Sequence, residues 1–213
     1  MPDISARLYL ITPRISEPAA FAPQLEAALS SGAVACVLLS LALPASGDAK
    51  KAARALAELA QRRGAALLVE NDPQLALRAN ADGAHISDAG SALAEAIKAL
   101  RPAKIVGAGG LKTRDAAMSA GEAGADYVMF GEPSRDGYVP PFAQTLERAR
   151  WWAGIFSVPC VAYAQTPEQA GALAQAQCEF IAVGGAAWSD AGAAAAAVDA
   201  FAQAVGAHPL VEA

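Results

Sequence analysis

The sequence predicts an α/β fold, a single (β/α)8 barrel over residues 1–213, with the barrel core over about 6–205 and a short C-terminal tail over 206–213. Three observations predict it. Short apolar runs alternate with longer helical segments along the whole chain. Eight such units fit the length at about 25 residues each, slightly below the usual barrel size. The first run ends in Thr12-Pro13-Arg14, without the glycine-rich turn that opens a doubly wound sheet.

The strands are expected over 7–12, 34–39, 66–70, 83–86, 104–107, 127–130, 160–163 and 180–183. Each run is apolar on both faces, as a strand buried in a parallel sheet must be. The segments between them are rich in Ala, Leu, Glu, Gln, Lys and Arg. Helices are expected over 49–63, 91–100, 113–123 and 167–176, with Pro73 opening another. Thr113, Thr166 and Ser189-Asp190 are start signals, because a side-chain oxygen there can accept from the free N–H groups of a first turn. Gly32, Gly64 and Gly124 are stop signals before the next strand.

Hydrophobic residues make up 54% of the chain and charged residues 17%, which excludes wholesale disorder. The net charge is -5 and no basic block occurs, so neither nucleic acid nor an anionic membrane is an expected partner. Much of the apolar count is alanine, and no long run of bulky apolar residues reads as a membrane span. The first residues lack a basic segment followed by an apolar core, and the expected location is cytoplasmic. Cys36, Cys160 and Cys178 have apolar neighbours and no C-x-x-C spacing, so they read as small packed hydrophobes. A homodimer is the default assembly.

In a barrel, function gathers in the loops after the C-terminal strand ends. The loop after the third strand holds Glu70, Asn71 and Asp72. Its oxygens suit Mg²⁺, while Asp72 taken alone is the natural N-cap of the next helix. The loop after the fourth strand holds His85 and Asp88. His85 is a candidate acid or base, or a packed residue bonded to a neighbour. Asp88 is a second Mg²⁺ ligand or a cap. After the fifth strand, Gly107, Gly109 and Gly110 allow close approach of a ligand, with Lys112 as a cation. After the eighth, Gly184 and Gly185 offer backbone N–H groups to a phosphate, and Trp188 either walls a ligand or covers the core rim.

These residues resemble the thiamine phosphate synthase family and its thiazole tautomerase relatives. Leu8-Tyr9-Leu10-Ile11-Thr12 is similar to the family's first strand. Leu67 to Asp72 is similar to its asparagine–aspartate strand end. Asn80 to Ile86 resembles "GADGVHL", and Gly124 to Gly131 resembles "GADYVGFG". The likeness runs in order over nearly the whole chain.

The resemblance implies a transferase that joins a thiazole phosphate to a pyrimidine diphosphate and releases pyrophosphate. It implies Mg²⁺ as cofactor and a small phosphorylated heterocycle as ligand. It places Asn71 and Asp72 at the diphosphate and the metal, with Asp88 the only acid near the family's second metal aspartate, and Gly184 and Gly185 at the thiazole phosphate. Gly109 joins the binding residues, and His85 is the candidate acid or base.

The chain also departs from the family. Val37, Leu39 and Leu41 are read against its Gln-x-Arg-x-Lys strand, and Pro73 stands for an arginine. The second Mg²⁺ aspartate of the family falls near Gly90. Residues 132–138 replace a lysine-ending loop, Ala164-Gln165 a glycine pair, and Leu111 the histidine of the tautomerases. Much of the diphosphate site is therefore absent, unless Arg14, Lys112 or Arg135 restores its charge from other loops. The alternative expectation is a non-catalytic or repurposed barrel that binds a thiamine-phosphate-like ligand.

Overall fold

A computed structural model describes residues 6–44, 47–88 and 90–206. The expected tail therefore lies outside the described residues, apart from Gly206. So do two residues of the loop after the second strand and Ala89. The chain forms a closed barrel of eight parallel strands in sequential order, with β1 pairing to both β2 and β8.

The strands are β1 (Arg7–Ile15), β2 (Val34–Leu41), β3 (Ala66–Glu70), β4 (Gly83–Ile86), β5 (Ile105–Ala108), β6 (Tyr127–Phe130), β7 (Cys160–Tyr163) and β8 (Phe180–Val183). The helices between them are α1 (Pro18–Ala28), α2 (Gly47–Arg62), α3 (Pro73–Ala79), α4 (Ser91–Leu100), α5 (Arg114–Glu122), α6 (Phe142–Ala153), α7 (Pro167–Gln175) and α8 (Ala191–Val205). A 3₁₀ turn, Gly185–Trp188, precedes α8. β1 and β2 run further than the expected 7–12 and 34–39. After an irregularity between Ile11 and Arg14 their pairing resumes, with Arg14 opposite Ser40.

Strand side chains alternate between two cores. Leu8, Leu10, Val37, Leu39, Leu67 and Val69 point outward and pack with helix residues such as Ala53, Leu56 and Ala60 of α2. Tyr9, Cys36, Leu38, Leu68, Tyr127, Met129, Val161, Tyr163 and Ala182 fill the barrel interior. The alternation corrects the reading of β2. Its inward face is Cys36, Leu38 and Ser40, whereas Val37 and Leu39 belong to the outer layer. A shift of one residue moves every side chain of a strand to the other face.

The helix starts follow the expected chemistry. Thr113 accepts from the Ala116 N–H at 3.1 Å and Thr166 from Gln169 at 3.3 Å. At the last helix the cap is Asp190, bonded to the Ala193 N–H at 2.9 Å.

The "GAD" stretches serve the opposite end of the barrel from the loops just named. Asp82 accepts from the Leu67 N–H at 2.8 Å and Asp126 from the Val106 N–H at 2.8 Å. Each acid thus ties the entry of its own strand to the start of the preceding one. Glu179 does the same for Cys160, at 3.0 Å. Gly83 follows from the same closeness, since a Cβ there would collide with the backbone of Ile105 on β5. All three cysteines are free and buried, and the sulfurs of Cys160 and Cys178 lie 3.4 Å apart. No described helix is long and apolar enough to cross a membrane.

Candidate functional site

A cavity of about 360 Å³ opens at the C-terminal ends of the strands. β1 lends it Ile11, Thr12 and Arg14, and β2 lends Leu38, Ser40 and Leu41. Glu70 ends β3, His85 lies on β4 and Ser87 follows it. Glu132, Pro133, Ser134 and Arg135 come from the segment after β6, Tyr163 from β7, and Gly184 and Gly185 from the exit of β8.

The cavity has two unlike sides. On the β8–β1 side, Gly184 packs so closely on β1 that a Cβ would sit 3.0 Å from the Ile11 carbonyl. Gly185 has φ +62°, a left-handed conformation that favours glycine. Arg14 lines the same cavity from β1, and Arg135 lines it from the loop after β6. Neither arginine is in an ion pair with a described residue. Lys112 does not line the cavity; its carbonyl accepts from the Arg148 guanidinium at 2.7 Å.

The β4–β6 side rests on a polar chain through the barrel interior. The hydroxyls of Tyr9 and Tyr127 are 2.8 Å apart, and the Tyr127 hydroxyl is 2.8 Å from His85 Nδ1. The His85 and Tyr127 rings stack at 5.7 Å with 16° between their planes. His85 is fully buried, and burial lowers its pKa to about 4, so the imidazole is neutral at pH 7. Burial also raises both tyrosines well above their ordinary value, which keeps them as phenols. His85 Nε2 has no hydrogen-bond partner among the described residues.

Glu132 adjoins this nitrogen. Its Oε1 accepts the Gly110 N–H, and its pKa is raised by burial, against that bond, with the nearby Glu70 charge adding to the rise. Gly109 explains how Glu132 and His85 meet, since a Cβ there would collide with both Glu132 Oε1 and His85 Nε2. Gly109 therefore admits side chains of the site rather than lining the cavity itself.

Three residues singled out in the sequence lie outside the cavity lining. Asn71 has φ +53° and ties two loops together. Its Oδ1 accepts the Ser87 N–H at 2.8 Å, and its own N–H donates to the His85 carbonyl at 2.8 Å. Asp72 caps α3, accepting the Leu75 N–H at 2.7 Å. Asp88 is exposed and accepts the Gly90 N–H at 3.2 Å. Among the described residues no three of His, Cys, Asp and Glu are grouped to hold a metal. Asp72 and Asp88 each give one carboxylate oxygen to a backbone N–H of their own loop and keep the second oxygen. Trp188 covers the rim: its indole N–H donates to the Ile11 carbonyl at 2.8 Å, and its ring packs on Phe21 at 5.0 Å.

Glu132 carried no signal of its own in the sequence. Nor did Tyr9 and Tyr127, whose inward facing is set by the register of the closed sheet.

The architecture and the cavity define a (β/α)8 barrel with a ligand-sized site at its strand C-terminal ends. The profile described as thiamine monophosphate synthase matches residues 8–187, and the chain belongs to that family. It is 41% identical to the thiamine-phosphate synthase of Rhodospirillum centenum, over 91% of this chain and 95% of that protein. It is 34% identical to the thiamine-phosphate synthase of Erythrobacter litoralis, over 96% and 98%. Among solved structures it resembles the thiamine phosphate pyrophosphorylase of Pyrococcus furiosus, with a TM-score of 0.78 and 22% identity over 96% and 97% of the two chains. That last likeness concerns the fold.

Proposed function

We propose that the protein is a transferase of the thiamine-phosphate synthase type, joining a thiazole phosphate to a pyrimidine diphosphate with release of pyrophosphate. The observation that carries this reading is the lining of the cavity: Arg14 and Arg135, in no ion pair among the described residues, share it with the backbone of Gly184 and Gly185. The family membership and the two synthase relatives support it.

In this reading the Gly184–Gly185 backbone holds the thiazole phosphate. Arg14 and Arg135 face the diphosphate, where negative charge grows as the C–O bond to the pyrimidine methylene breaks. Cations placed at developing charge lower the barrier because they need no reorganisation during the reaction. The inward face of β2, Cys36, Leu38 and Ser40, contributes no charge, so the two arginines carry this task from β1 and the loop after β6.

The test supplies both substrates and follows thiamine phosphate and pyrophosphate together. Product is expected from the wild-type chain, and Arg14→Ala and Arg135→Ala each lower kcat/KM by about 10- to 100-fold, the worth of a hydrogen bond to a charged group. No product from folded protein overturns the reading. The uncharged face of β2 then favours a second reading, a non-catalytic or repurposed barrel that binds a monophosphorylated heterocycle.

A further inference from the structure

We propose that Cys160 and Cys178 form a dithiol site that a small disulfide oxidises to an intrachain bond, at the end of the barrel opposite the cavity.

The first support is the pairing itself. Cys160 opens β7, and Cys178 lies in the turn between α7 and β8. Their sulfurs are 3.4 Å apart, although 18 positions of chain separate them. A disulfide bond is about 2.05 Å long, so modest rotations of the two side chains close the gap. The closed sheet sets this pair, because β7 and β8 run side by side with Val161 opposite Phe180. Glu179, next to Cys178, adds a tie by accepting the Cys160 N–H at 3.0 Å. Cys36 is the internal comparison. It is free and buried like the other two, but it belongs to the barrel interior, whereas they belong to the outer layer.

The second support is the direction of the hydrogen bonds, which gives each thiol a role. The Cys160 thiol donates to Cys178 Sγ. The Cys178 thiol has the carbonyls of Cys160 and Phe180 as acceptors, at 3.4 and 3.3 Å. A sulfur that accepts a proton donor is favoured as thiolate, and the donor is disfavoured. The bond to Cys178, with burial, raises the Cys160 pKa. Cys178 therefore ionises first and attacks, and Cys160 resolves.

The third support is the place of Cys178 in its turn. It is buried, but exposed Gln177 precedes it and half-buried Glu179 follows. Gln177 has φ +63°, a left-handed conformation that costs a residue with a side chain. The Gln177 N–H donates to the Ala174 carbonyl and the Cys178 N–H to that of Leu173. Opening this one turn bares Cys178 while the barrel stays closed, and such local openings need less free energy than global unfolding.

The chemistry is a two-step exchange. Cys178 gives its proton to solvent, and its thiolate attacks one sulfur of the small disulfide. The other sulfur leaves as a thiolate with the electron pair of the broken bond. Cys160 then loses its proton, attacks the Cys178 sulfur and expels the second thiolate. Two protein S–H bonds are lost and one S–S bond forms, while the oxidant is reduced to two thiols.

The test incubates the folded full chain with excess glutathione disulfide, then alkylates the remaining thiols after unfolding in acid-quenched samples. Cleavage after Glu168 puts the two cysteines on separate peptides for mass spectrometry. The expected result is a loss of two hydrogens, one alkylated thiol at Cys36, and a linked peptide pair that dithiothreitol separates. Cys160→Ser is expected to stop at a glutathione adduct on Cys178. The thermal midpoint of the oxidised chain is expected to rise by roughly 5 °C or more, because the bond closes a loop in the unfolded state. Three free thiols in the treated wild type overturn the proposal, and this reading needs no variant to fold. So does a bond that includes Cys36, or a lasting glutathione adduct in place of the link. A midpoint that does not rise also overturns it, since the sulfurs would then meet only by distorting the fold.

Discussion

After β3 the chain places Asn71 and Asp72 at the barrel mouth, and after β6 it places Glu132 there. At β3 the polar atoms are spent on the fold. Asp72 closes the first turn of α3 with a 2.7 Å bond, and Asn71 joins its own loop to the one after β4. At β6 the carboxylate is held by the Gly110 N–H and set near an imidazole nitrogen that has no partner among the described residues. The comparison teaches that an acidic residue at a strand end becomes available for chemistry only when the local backbone leaves it unused. A proline after Asp72 makes a helix start there, and a helix start consumes the acid.

The largest effect that can break this contrast comes from pH. The His85 pKa lies at about 4 in the folded protein, below the ordinary 6.5, so the unfolded chain takes up the proton first as pH falls. The stability that the neutral ring contributes is whole above about pH 6.5 and is lost as pH falls toward 4, to the extent of about 3 kcal/mol. The raised pKa of Glu132 acts in the other sense, because its contribution is lost as pH rises above its ordinary 4.5. Urea unfolding at pH 7 and pH 4, in wild type and His85→Asn, separates the two. The variant is expected to lose less stability between those pH values, by about the amount assigned to His85. Equal losses would mean that the ring is not held neutral by the interior.

A smaller effect belongs to Asp72. Asp72→Ala removes a helix cap and is expected to cost about 1 kcal/mol in denaturant unfolding. Formation of thiamine phosphate is expected to stay as it was. Loss of product in a folded Asp72→Ala would return the β3 end to the binding site.

The smallest effect is at Asp88, exposed and bonded to the Gly90 N–H of its own loop. Asp88→Ala is expected to move stability by less than about 0.5 kcal/mol. A change in ligand binding there would show that the carboxylate turns inward when a ligand arrives.

The fold was legible because its signals are local and repeated. Strands β3, β4, β6, β7 and β8 and helix α4 begin and end where their apolar runs and turn residues place them. β1 and β2 extend past their runs because pairing between them resumes beyond an irregularity, which neither run announces. Of the residues named for the site, His85, Gly184 and Gly185 line the cavity, and so do Arg14 and Arg135. Asn71, Asp72 and Asp88 do not: Asp72 and Asp88 each accept an N–H two or three residues ahead, and Asn71 accepts that of Ser87 in the loop after β4. Val37 and Leu39 were placed on the wrong face of β2, since a buried strand with apolar residues on both sides carries no internal mark of its register.

The sequence by itself determined the barrel, its order of units, the caps of α3, α5, α7 and α8 and the family it belongs to. These follow from periodicity, propensity and short-range hydrogen bonding, all of which act between residues near one another in the chain. Only the tertiary structure decided which polar groups are free. The contact of His85 with Tyr127, of Tyr127 with Tyr9, and of Glu132 with Gly109 and Gly110 joins β1, β4, β5 and β6 across the barrel. Whether a histidine is a packed residue or one that faces a cavity depends on partners from distant strands, and closure of the sheet is what brings those strands together.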